Sequence, residues 1–165
     1  EHPEARGQAW HALVDVGLAH RGKDVRREVA LVLRRHHEAL ARAGGPVVAE
    51  SIKGLRKLLR NDIDPMVRNA AAKALGGIVT ACSTQQGVCA LVGAALVEGF
   101  HAEVHRGALR AMVRARGKAA LRSVLDEGAL CATVQALGEV VATCPAERAS
   151  AVRALVGDGL GHGDA

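Results

Sequence analysis

Four stretches of the chain repeat one pattern, and that repetition narrows the fold more than any total does. They are Pro3-Glu4-Ala5-Arg6-Gly7-Gln8-Ala9-Trp10, Lys23-Asp24-Val25-Arg26-Arg27-Glu28-Val29-Ala30, Asp64-Pro65-Met66-Val67-Arg68-Asn69-Ala70-Ala71 and Ala102-Glu103-Val104-His105-Arg106-Gly107-Ala108. Each carries an acid or a proline near its start, sets a small apolar residue before a base, and continues with apolar residues at helical spacing. The anchor positions are 5, 25, 67 and 104, so the steps are 20, 42 and 37. The two longer steps suit a unit of two helices, and the first is about half of one. A chain that restarts one helix signal in this way is predicted to be all-α, built from two-helix units.

The third stretch gives the physical reason. Asp64 has the side-chain oxygen needed to cap a helix. Pro65 at the first helical position gives up an N–H that has no helical partner anyway. Val67, Ala70, Ala71, Ala74, Leu75 and Ile78 then form one apolar stripe. Ala71, Ala74 and Gly76 are small enough to let a neighbouring helix come close. The same signals predict helices over 46–60, 86–99 and 128–143, the second nearly all apolar and so buried on most sides. Gly44-Gly45 ends the helix before Pro46, and Pro145 blocks continuation of the last of the three. Pro145-Ala146-Glu147 opens a final helix to about Val156. The expectation is seven to nine helices in one domain over 1–165, with a flexible tail over 157–165.

Composition excludes the alternatives. Trp10 and Phe100 are the only aromatic residues, tyrosine is absent, and 32 of 165 residues are alanine. β-Sandwiches and barrels need aromatic and β-branched faces. RNA-recognition sheets and single-strand grooves need stacking platforms. At 49% apolar and 24% charged, the chain is not disordered by composition. The longest mainly apolar stretch, 87–99, is too short to cross a bilayer, so no membrane insertion is expected. Glu1-His2-Pro3-Glu4 has no leader pattern. Cys82, Cys89, Cys131 and Cys144 include no Cys-x-x-Cys pair and read as small buried hydrophobes. An intracellular setting follows, in cytoplasm or nucleus.

These residues resemble HEAT repeats, the helix pairs that stack into α-solenoids. Asp64-Pro65-Met66-Val67-Arg68, followed by Ala71, Ala74 and Leu75, carries the resemblance. Asp24-Val25-Arg26 and Glu103-Val104-His105-Arg106 are weaker copies. The resemblance implies a right-handed α-α superhelix in which Asp64, Pro65, Val67 and Arg68 are structural, Asp64 and Arg68 serving a polar ladder between repeats. It implies no active site and no cofactor or metal. It also implies a non-enzymatic scaffold that binds protein partners in a larger assembly, with this chain part of a longer solenoid. No small-molecule substrate is expected.

Charge supplies a second reading. Residues 21–60 hold eleven Lys/Arg against four acids, and residues 104–125 hold six bases and no acid. Arg106, Arg110, Arg114, Lys118 and Arg122 are spaced by fours, so on one helix the row winds round instead of forming a straight ridge. Together with Arg56, Lys57 and Arg60 they form a candidate contact surface for phosphates of DNA or RNA, or for an acidic partner. A third reading is a HEAT-like metalloenzyme or lyase. Some HEAT-like hydroxylases bind iron through several His-Glu dyads, and His37-Glu38 is the single such pair here. It is expected at a helix C-terminus, where histidines suit the dipole. Phycobilin lyases carry similar repeats, but this chain lacks aromatic residues to grip a tetrapyrrole. Trp10, in step with Leu13 and Val14, is expected to pack inward.

Overall fold

The structure, a computed structural model, describes the backbone of residues 3–115 and 123–157 and the side chains of residues 7–106 and 128–157. These residues are helical, with no strand among them. Helix α1 (Pro3–Ala12) runs into a π-helical turn (Leu13–Gly17). Helices α2 (Lys23–Arg35), α3 (His37–Ala43), α4 (Gly45–Asn61) and α5 (Pro65–Ala81) follow. Then come α6 (Gln86–Ala115), α7 (Ser123–Thr143) and α8 (Arg148–Gly157).

Local chemistry sets most of these boundaries. Asp64 Oδ1 accepts from the backbone N–H of Met66 at 2.9 Å and of Val67 at 3.4 Å, capping α5, and Pro65 occupies its first position. Gly44 separates α3 from α4 with φ of 109°, a conformation that favours glycine. Pro145 stands in the turn between α7 and α8.

From α4 to α8 the helices alternate between two rows. Helix α5 lies between α2 and α7, and α6 lies between α4 and α8. Successive helices α4 to α8 also pack against each other across the rows. One continuous core fills the space between them. Leu33, Leu55, Leu59, Leu75, Ile78, Leu96 and Leu137 are fully buried in it, among many alanines and valines. Alanine lets α5 be enclosed on several sides, since Ala70, Ala71, Ala72 and Ala74 are all buried. Trp10 is half-buried against the core, and Phe100 is buried within it.

Four expectations change. The fourth stretch does not open a helix, because α6 runs unbroken from Gln86 to Ala115. No proline or capping residue interrupts it, and Glu103 turns inward instead. By length and composition α6 is long and apolar enough over Gln86–Arg106 to cross a bilayer, so 87–99 underestimated the stretch. In this fold it buries Val92, Ala95, Leu96 and Phe100. His36 does end α2, but His37 and Glu38 open α3. Finally, Cys89 and Cys144 form a disulfide and Cys131 is exposed, so only Cys82 remains a buried thiol. The antiparallel course of α6 and α7 brings Cys89, in the first turn of α6, to Cys144, just past α7. A separation of 55 residues hides that meeting in the sequence.

Candidate interaction surface

A ladder of polar contacts crosses the helices at the α4–α5 turn. Lys23 Nζ of α2 lies 3.0 Å from Asp64 Oδ2. Arg26 of α2 holds Asp62 with two bonds, Nε to Oδ2 at 2.7 Å and Nη2 to Oδ1 at 3.1 Å. Arg68 of α5 donates from Nε to Glu103 Oε1 of α6 at 2.5 Å, and from Nη1 to the carbonyls of Asp62 and Ile63. Arg106 donates to Glu103 at 2.5 Å and to the Arg60 carbonyl. Arg68 and Glu103 have side-chain exposures of 2% and 1%, so this pair is almost free of solvent screening.

Several of these groups titrate away from their ordinary values. The hydrogen bonds it donates to Asp62 hold the Arg26 guanidinium charged more firmly, and those to Glu98 do the same for Arg56. Asp64 is more complex. Burial pushes its carboxyl up, but the hydrogen bond and charge of Lys23 and the amides of Met66 and Val67 outweigh that, leaving it below the usual range. Lys23 is raised in turn by its hydrogen bond with Asp64.

This ladder absorbs part of the candidate basic surface. Arg56 and Arg60 of α4 both reach Glu98 of α6. Arg106 is held by Glu103. Lys57 is exposed and lines a hollow of about 490 Å³ between the π-helical turn and α4, with Leu18, Arg21, Lys53 and Gly54. Arg110 and Arg114 lie on α6, but their side chains are outside the described set, and Lys118 and Arg122 lie outside the described residues. Among the described members, Arg56, Arg60 and Arg106 therefore serve contacts within the fold rather than a bare cationic ridge.

A different surface has its cations uncommitted. A groove of about 330 Å³ runs where α5 meets the α2–α3 corner on one side and α7 on the other. Gly76, Gly77, Ala132 and Ala136 are small residues in its lining, and Arg34, His37, Lys73, Thr80, Gln135 and Glu139 complete it. The glycines keep it open. A Cβ on Gly76 would sit 3.3 Å from Ala136 Cβ, and one on Gly77 would sit 3.6 Å from His37 Cγ. His37 Nδ1 bonds the Arg34 carbonyl at 2.7 Å, which ties the ring to the end of α2. Neither Arg34 nor Lys73 has a carboxylate within ion-pair distance among the described residues. Sequence reasoning named His37 for another reason and missed Lys73, Gln135 and Glu139. The one local signal was Gly76-Gly77 in mid-helix, where glycine costs helix stability unless a close approach needs it.

Among the described residues, no cluster of three or more His, Cys, Asp or Glu side chains is placed to hold a metal. Cys82 is buried, and burial pushes its thiol up, away from the reactive thiolate. No family model, curated protein or solved structure matches the chain.

Proposed function

We propose that the chain is a HEAT-type α-solenoid acting as a non-enzymatic protein-interaction scaffold. Two observations support the solenoid: helices α4 to α8 alternate between two rows, and the Asp64–Arg68 turn carries a polar ladder. The groove along α5 carries the functional reading. It joins a small-residue floor to two cations, Arg34 and Lys73, neither of them within ion-pair distance of a carboxylate among the described residues, with Glu139 as the acid in the lining. Its excess of cations over acid suits an acidic segment of a protein partner. In this reading α6 is a core helix and not a membrane span.

The test compares an acidic helical peptide with duplex DNA by fluorescence anisotropy, at low and near-physiological salt. The peptide is expected to bind, and Arg34→Glu with Lys73→Glu is expected to weaken it at least tenfold. DNA binding with a steep negative salt slope, unchanged by those substitutions, would instead establish the nucleic-acid reading. Failure of both probes would remove the groove as a charge-guided surface.

A further inference from the structure

We propose that the Cys89–Cys144 disulfide is a redox-operated strap that holds α8 against α6 and α7. Cys144 is the residue just past α7, and α8 begins four residues on, so the bond lies at the root of the last helix. The Cα atoms are 5.9 Å apart, inside the ordinary range for a disulfide. What else holds α8 is slight. Its buried residues are Ala151 and Ala154, with Leu155 half-buried. Apolar stabilisation follows the area removed from water, and alanine supplies little. Val152 and Val156 face solvent. A helix of this length does not persist unsupported in water. Around the bond, Arg148 Nε donates to the Val141 carbonyl at 3.0 Å. The Glu147 side chain covers Gly93 of α6, where a Cβ would sit 3.7 Å from it.

The chemistry is thiol–disulfide exchange with a small-molecule thiol couple of the glutathione class. A thiolate attacks one sulfur and forms a mixed disulfide, releasing the other cysteine. A second thiolate then attacks the external sulfur of the mixed disulfide. Two cysteine thiols and one small disulfide result, with two electrons and two protons gained by the protein. Both cysteines are buried, so exchange waits on opening of the 145–147 turn. Cys82, buried and held as the neutral thiol, is a poor competitor for the bond. Reduction releases the root of α8 and uncovers the part of α6 that Glu147 covers at Gly93.

The experiment uses the whole chain. After equilibration with glutathione disulfide, alkylation and peptide mass spectrometry are expected to find Cys89 linked to Cys144, with Cys82 and Cys131 alkylated. Hydrogen exchange is then compared with and without dithiothreitol. Exchange over 148–157 is expected to rise at least tenfold on reduction, with α5 changing less than twofold. The double variant Cys89→Ala, Cys144→Ala should show the fast α8 exchange whether or not reductant is present. Four alkylated thiols after oxidation, or equal α8 protection in both redox states of the natural chain, would overturn the proposal even if the variant failed to fold.

Discussion

Glu103 shows how much one side chain can hold. It sits inside the fold at 2.5 Å from both Arg68 and Arg106, joining α5 to its own helix. Its replacement by Ala deprives a buried guanidinium of this carboxylate, and such losses cost about 3–5 kcal/mol. Urea unfolding of Glu103→Ala should register that drop. The double variant Arg68→Met, Glu103→Leu should recover most of it, because the desolvation of both charges disappears with them. Asp64 offers a smaller test. Asp64→Ala should lose about 1 kcal/mol, the worth of a helix N-cap. Because its carboxyl titrates below the usual range in the folded protein, its contribution is complete above about pH 4, the unfolded value. It disappears as pH falls through the lower folded value. The stability gap between the natural chain and Asp64→Asn, followed by thermal melts from neutral pH downward, should therefore shrink. A gap that stays constant would separate the cap from the ionisation. Asp64 and Pro65 were legible in sequence because a cap acts on neighbours two and three residues on. Glu103 was not, since Arg68 stands 35 residues away.

At the level of the helix, glycine separates close approach from mere flexibility. A Cβ on Gly99 of α6 would run into Cδ2 and Cγ of Leu59 on α4. Leu59 is fully buried and has little room to move. Gly99→Ala should destabilise the fold by about 1–3 kcal/mol through overpacking, although alanine is the better helix former. Gly138 is the contrast, an exposed position inside α7 with open space around it. Gly138→Ala should raise stability by up to about 1 kcal/mol, read as a higher midpoint in urea. The helix start at Pro65 was legible because its cap and proline act locally, whereas Lys23 follows Gly22 with no side-chain cap and was legible only from the repeated pattern. The restart expected at Ala102 was not real, because an acid before Val-His-Arg suits the inside of a helix as well as its beginning. Only the pairing of Glu103 with α5 distinguishes the two, and that is a tertiary fact.

For the whole molecule, stability is expected to be graded about α5. This helix packs against α2, α3, α4, α6 and α7, and its central residues Ala71, Ala74 and Leu75 are fully enclosed. Its amides should exchange slowest, near the global unfolding limit, while those of α1 should exchange much faster. Equal protection in α1 and α5 would contradict that ordering. Composition made the all-α class legible, since so few aromatics and so many alanines leave helix-on-helix packing as the available core. The groove was not legible, because Arg34, Lys73 and Glu139 come from three helices and meet only after folding.

Helix α6 is fastened twice, by a covalent bond at Cys89 and by the buried ion pair at Glu103. At the helical rise those points are about 21 Å apart. Mechanically it is a beam clamped at two points, so a load on one neighbour passes along it instead of turning it. Once the sulfur bond opens, the beam stays seated through Glu103 and its buried Val92, Leu96 and Phe100, so the slack falls to α8.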